Sequence, residues 1–457
     1  MKLKPSTPKG TRDFSPQEIV KRNHIFTILK KSFELFGFQP IETPSFENAA
    51  TLTGKYGEEG DQLMYRILNS GDYLKSVDHE LLVNKESKKI KGQLSDKALR
   101  YDLTIPFARY VVQHQNELVF PFKRYQMQLL WRADRPQKGR FREFYQCDAD
   151  VIGSKGLWQE VELVQLYDHA FDSLGIKGTT IRVNNRKILA GIAEALEIND
   201  QLVDFTVALD KLDKIGVVGV SNELFLKGIK QSAIDKIVPL LDITGSNQEM
   251  LAKVYDLVKT SEEGRKGIEE LKFIINNVEN TGIESSNLQF DVTLARGLSY
   301  YTGPIFEVKA PEEVSIGSIG GGGRYDNLTG IFGLKGMSGV GVSFGMERVY
   351  YVMEELDLFN EISIPLPKVL FTNLGENEAA YCLKALKLLR SKGVNCEIYP
   401  ESLKMNKQLN YANRRNIPFV VIAGSEEIAN DQFLLKNMET GEQQLLNLES
   451  MISFFVE

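Results

Sequence analysis

From Glu143 to Val151 the chain alternates without a break: Tyr145, Cys147, Ala149 and Val151 fall on one side, Phe144, Gln146, Asp148 and Asp150 on the other. This spacing predicts a β-strand with a core face and a polar face. Half-buried carboxylates and amides cost free energy unless something pairs with them, so the polar face points to a ligand. Its aromatic ring can stack on a base, and its acids can bind an amine or an imidazole. Just before it, Phe122 to Arg142 carries Lys123, Arg124, Arg132, Arg135, Lys138, Arg140 and Arg142 against one acid, Asp134. Such a run suits a polyanion, although a solvated arginine-rich loop is the plainer alternative.

The remaining composition is that of a globular protein. A chain of 457 residues suffices for about three domains. With 42% hydrophobic and 25% charged residues, disordered and collagen-like classes are excluded. The net charge of −6 argues against a protein that coats nucleic acid indiscriminately, but it permits local basic patches. Cys147, Cys382 and Cys396 cannot all pair, and without a CxxC or neighbouring histidines they suit reduced thiols better than a disulfide framework or a zinc site. Met1 to Gly10 is polar and contains proline, unlike the apolar core of a signal peptide. No stretch approaches the ~20 apolar residues of a membrane helix, so a cytoplasmic protein without membrane association is expected.

Ser15-Pro16-Gln17-Glu18 combines a capping hydroxyl, proline at the first helical position and a glutamate three residues after the cap. Phe26, Leu29, Phe33 and Phe36 continue the helix, and Gly37 ends it. Phe38 to Phe46, with two prolines, reads as a short extended segment. The lysine-rich stretch from about Asn69 to Asp96 reads as a surface excursion built as a hairpin. Residues 186–285 are amphipathic and helical, which suggests an inserted module within a domain formed by 1–185 and 286–358. Leu288 to Leu294 and Ile305 to Val308 read as strands around a turn at Thr302-Gly303-Pro304, and Gly317 to Arg324 as a glycine-rich loop. After the Ile364 to Pro367 linker, residues 366–457 alternate strands and helices as a small α/β unit with a mainly parallel sheet.

Two further segments carry chemical groups. Gly339 to Gly345 leads into a helix from Met346 with Arg348 in its first turn, where a cation opposes the helix dipole unless an anion offsets it. Arg296 to Gly303 places Tyr300 and Tyr301 beside Arg296 at a strand end. The four histidines, His24, His79, His114 and His169, lie outside every motif.

Together these segments resemble class II aminoacyl-tRNA synthetases. Gly37 to Pro44 is similar to the first motif of that class, Arg132 and Asp134 with Arg140 to Phe144 and Asp148 to the second, and Gly339 to Arg348 to the third. Lys9 to Phe14, Leu99 to Thr104, Arg135 to Arg140 and Arg296 to Gly303 look like the histidyl-tRNA synthetase family, and the resemblance covers essentially the whole chain. It implies an α+β fold: an antiparallel catalytic sheet flanked by helices, a helical insertion and a C-terminal α/β anticodon-binding domain. It also implies activation of L-histidine by ATP and transfer to the 3′ end of tRNA(His) by a homodimer, with Mg²⁺ bound through the ATP phosphates and no zinc.

The resemblance further implies roles residue by residue. Arg132 and Arg296 would flank the α-phosphate as the catalytic pair. Asp102, Thr104 and Gln146 would receive the histidine ammonium, and Asp150 and Tyr301, with Tyr300 nearby, its imidazole. Arg132, Asp134, Arg140, Phe144 and Arg348 would hold ATP, with Phe144 stacked on adenine. Arg135 and Gln137 would meet the tRNA acceptor end. Ser299 stands where the family usually has Asp. The competing readings are a histidine-binding regulatory paralogue of ATP phosphoribosyltransferase and a tRNA-sensing pseudo-synthetase.

Overall fold

The computed structural model of the chain describes residues 3–295, 298 and 300–456. The alternating segment is strand β3 (Glu143–Ile152) of an eight-stranded sheet. The other strands are β1 (Gln39–Pro40), β2 (Phe122–Trp131), β4 (Thr180–Asn185), β5 (Asn287–Phe290), β6 (Pro304–Lys309), β7 (Gly320–Tyr325) and β8 (Gly339–Gly345). Their order is β1-β2-β3-β8-β7-β6-β4-β5, antiparallel except for the parallel pairs β1/β2 and β4/β5 at the two edges. The proline-bearing segment thus adds only a two-residue edge strand, where a missing N–H does least harm.

One face of the sheet is covered by helices. Cys147, Ala149 and Val151 pack with Ile25, Leu29 and Phe33 of the helix Pro16–Leu35 and with Tyr167 and Phe171 of the helix Trp158–Ser173. Each large buried side chain contributes roughly 1.5–3 kcal/mol by leaving water. The first helix has the capping box expected of it: Ser15 N–H donates to Glu18 at 2.7 Å and Glu18 N–H to the Ser15 hydroxyl at 3.3 Å. Gly37, at φ +80°, terminates it.

Two sequence expectations are corrected here. Gly320–Tyr325 is a strand between β6 and β8, although its glycines suggest a loop. The glycines permit close approach, because a Cβ at Gly322 would strike the carbonyl of Gly341 and one at Gly320 the ring of Tyr167. The stretch from Asn69 to Asp96 is mostly exposed, but it holds two short helices, His79–Val83 and Ser87–Leu94, in place of a hairpin. It connects Arg66–Ile67 to Lys97–Leu99, which with Phe46–Asn48 form a three-stranded sheet.

Between β4 and β5 the chain is helical, from Arg186–Ala195 to Glu262–Thr281. Residues 363–457 form a second compact unit with its own core around Val369, Phe371, Leu386, Leu389 and Phe433. Its five strands are Val369–Phe371, Cys396–Ile398, Phe419–Ile422, Phe433–Asn437 and Gln443–Leu446. The first three pair in parallel and the last two add antiparallel, so the sheet is mixed and not mainly parallel. Among the described residues no helix is long and apolar enough to cross a membrane.

Candidate active site

The polar face of β3 lies opposite the helices. Across it, Gln128, Gln126 and Arg124 of β2 face Gln146, Asp148 and Asp150, and these face Gly345, Ser343 and Gly341 of β8. Polar side chains therefore form one half of the floor, and glycines open the other. A Cβ at Gly341 would collide with the Asp150 carboxylate, and one at Gly339 with the Tyr325 ring. The missing side chains make room for those two groups.

At one end of this floor, Asp150 is 2% exposed and paired with Arg124, itself fully buried, at 2.8 Å. Tyr325 donates to the same carboxylate at 2.6 Å. Burial raises the affinity of Asp150 for its proton, and Arg124 and Tyr325 oppose that rise. Tyr301 packs close by, within the cluster that includes Tyr325 and Leu298. Neither Arg124 nor Tyr325 was assigned to the site from sequence. The period-2 run Arg124, Gln126, Gln128 in β2 carries the signal, since it marks a second polar strand face.

The next wall is built on Asp102, 2% exposed. Its two oxygens accept from Tyr56 and Tyr300, each at 2.8 Å, and Oδ1 also accepts the N–H of Ile105 in the first turn of the helix Thr104–Gln113. Burial pushes its pKa up, while these three donors favour the ionised form. Tyr300 is therefore engaged with Asp102, and Tyr56 is an addition to the sequence reading. Thr104 is the first residue of that helix and is buried.

Arg132 crosses toward this wall. Its Nε donates to the Tyr101 carbonyl at 2.9 Å and a terminal nitrogen to Gln146 at 3.3 Å, while the guanidinium lies 4.4 Å from the Tyr101 ring and 5.3 Å from that of Phe144. Gln146 passes the chain on, donating to the Ser343 hydroxyl at 2.6 Å. Thus Arg132, Gln146 and Ser343 form one hydrogen-bonded line across the floor.

Beyond it, the loop between β2 and β3 turns at Gln137 and Arg140, which exchange backbone hydrogen bonds. Arg140 is held by the buried Asp134 at 2.8 Å, and Arg135 and Gln137 are exposed. Arg348, in the first turn of the helix Met346–Glu355, donates to the Ser318 carbonyl at 2.6 Å. The arginine-rich run is therefore divided in its use. Lys123 pairs with Glu162, Arg124 lies in the floor, Arg142 binds the carbonyls of Asp134 and Lys9, and Arg132 and Arg140 border the open site. Arg296 and Ser299 lie outside the described residues.

An antiparallel sheet with an arginine-bearing hairpin over one face, closed by a glycine strand and the helix carrying Arg348, is the architecture of class II aminoacyl-tRNA synthetases. The histidyl-tRNA synthetase profile matches residues 84–349 and the anticodon binding domain profile residues 368–457. The histidine–tRNA ligase of Christiangramia forsetii is 60% identical over 451 residues, 99% of both chains. That of Flavobacterium johnsoniae is 57% identical over 469 aligned residues, again 99% of both. The crystal structure of histidyl-tRNA synthetase from Nostoc sp. PCC 7120 aligns with a TM-score of 0.77 at 30% identity, covering 99% of this chain and 100% of that one. The chain belongs to the histidyl-tRNA synthetase family.

Proposed function

We infer that the chain works as a histidine–tRNA ligase, joining the carboxylate of L-histidine to the α-phosphate of ATP, releasing pyrophosphate, and then passing the histidyl group to the 3′ end of tRNA(His). The observation that carries the mechanism is the line Arg132, Gln146, Ser343 running from the arginine hairpin to the acidic floor. It joins a place for phosphate to a place for an amino acid on a single rigid sheet.

In this reading negative charge builds on the α-phosphoryl oxygens during attack, and Arg132 meets it with a guanidinium already fixed by Tyr101 and Gln146. Arg296 opposes it as a second cation that needs no deprotonation. Arg140, steadied by Asp134, and Arg348 take the outer phosphates, and Phe144 stacks on adenine. The side chains at this end are arginines, a set that fits phosphate oxygens better than a bare cation, so Mg²⁺ would be held through the nucleotide and screen its charge. Asp102, Thr104 and Gln146 receive the ammonium, and Asp150 and Tyr301, with Tyr300 beside them, the imidazole; a carboxylate on a ring nitrogen selects against side chains without one. Arg135 and Gln137 are exposed and available to the acceptor end. A cytoplasmic homodimer completes the proposal.

Pyrophosphate exchange into ATP with each amino acid in turn, tRNA absent, tests the first step. Exchange with histidine alone is expected, and histidine binding without exchange would instead identify a regulatory or sensing paralogue.

A further inference from the structure

Asp148 has no role in the mechanism above, yet it sits at the centre of the floor. It is 4% exposed, between Gln146 and Asp150 on the same strand face. Ser343 hydrogen-bonds to it from β8. Its Oδ1 is buried and has no hydrogen-bond partner among the described residues, and opposite it on β2 the Oε1 of Gln126 is equally bare. Gln126 cannot supply the missing donor by turning its amide without losing bonds, because its nitrogen already donates to Thr43 at 2.8 Å and to Gln128 at 2.5 Å. A buried carboxylate oxygen without a donor is costly, and its retention within a ligand-binding floor calls for a donor that arrives with the ligand or for a proton.

We propose that Asp148 is a second carboxylate directed at the histidine side chain, and that it shares one proton with the substrate's imidazole in the bound state. The inference rests on the ligase reading. Histidine spans from Gln146 at its ammonium end to Asp150 at its ring end, and Asp148 lies midway. Two carboxylates two residues apart on one strand face can meet both ring nitrogens. A neutral ring offers one N–H, so the second contact needs one more proton, carried either by the ring or by Asp148. The proton passes between the two groups within the complex, so its charge balances either way.

The surrounding groups support this. Burial and the neighbouring Asp150 push the Asp148 pKa up to about 7, with Arg124 opposing, which is close to that of a free imidazole. The other titratable groups facing Asp148 are Asp102 from the segment before the helix Thr104–Gln113, Tyr301, and Tyr167 from behind the sheet. Both tyrosines are held well above their ordinary pKa by burial and stay protonated across the relevant range.

Asp148→Asn and Asp148→Ser, each checked for folding by thermal melting, test the assignment in histidine-dependent pyrophosphate exchange from pH 6 to 9. In the wild-type protein kcat/KM for histidine should fall above about pH 7 as the shared proton is lost. Both variants should raise the histidine KM by about tenfold or more with the ATP KM unchanged, and the Asn variant should lose the alkaline fall. An unchanged histidine KM, or an alkaline limb retained in the Asn variant, would overturn the role of Asp148 while leaving the ligase intact. If the wild-type protein gave no histidine-dependent exchange, the ligase reading would fall and this inference with it.

Discussion

Glu347 takes both terminal nitrogens of Arg22, at 2.7 and 3.0 Å, across a gap of 325 residues in sequence. Both side chains are 4% exposed, and Arg12 adds a third bond to the same carboxylate at 3.2 Å. The first helix thereby fixes the helix that carries Arg348.

Removing one partner of such a pair leaves the other charged and buried. Glu347→Ala is expected to lower stability by about 3–5 kcal/mol, and Arg22→Ala by a similar amount. The double variant should lose less than the two together, which a denaturant titration of all four proteins would reveal. Additive losses would show that the pair is not coupled.

Arg132 is held by Tyr101 and Gln146 with geometry that a lysine cannot reproduce. Arg132→Lys should therefore cut kcat in pyrophosphate exchange by about 10²–10³ while the melting temperature stays close to the parent's. A loss confined to the ATP KM would instead make Arg132 a simple binding cation.

Asp148 carries a consequence for stability as well as for binding. Its folded pKa, about 7, exceeds the ~3.9 of an unfolded aspartate, so between these values the folded chain holds a proton that the unfolded one has released. The stabilisation is fully present below pH 4 and is lost as pH rises through 7. Asp148→Asn lacks this term, so its stability relative to wild type should increase between pH 4 and pH 7, by at most about 1.4 kcal/mol per unit. Denaturant midpoints at pH 5 and pH 8 would check the sign.

Residues 1–362 and 363–457 have separate cores. A chain ending at Ile362 should retain histidine-dependent exchange and lose about a hundredfold in tRNA charging, since the second anchoring surface for tRNA is gone. Equal loss of both activities would mean that the C-terminal unit supports the adenylation site directly.

Much of this was legible in the residues themselves. The alternation in Glu143 to Val151 located the strand and its polar face, and the Ser15 to Glu18 pattern located the first helix, because each depends on local periodicity or capping. What escaped depends on contacts between distant segments. Gly320–Tyr325 looked like a loop because its glycines answer to the backbone of β8 and the ring of Tyr167, neither of which is a local signal. Tyr56 and Tyr325 reach Asp102 and Asp150 from 46 and 175 residues away. The helices within 69–96 lack a sustained apolar period, and the strands Phe433–Asn437 and Gln443–Leu446 follow the segment where the parallel pattern ends.

A last expectation concerns the glycine half of the floor. Gly341→Ala should raise the histidine KM or cost about 1–3 kcal/mol of stability, because its new methyl group meets the Asp150 carboxylate. Kinetics and melting of the same variant would separate the two.

Gly339 and Gly341 are bare backbone because the Tyr325 ring and the Asp150 carboxylate lie where their side chains would stand. Any side chain added at either position pushes one of those two groups out of place. Attempts to make the enzyme accept a bulkier histidine analogue must therefore work from residues other than these glycines, and trimming Tyr325 would strip Asp150 of a donor. The substrate range of this enzyme is thus easier to contract than to extend.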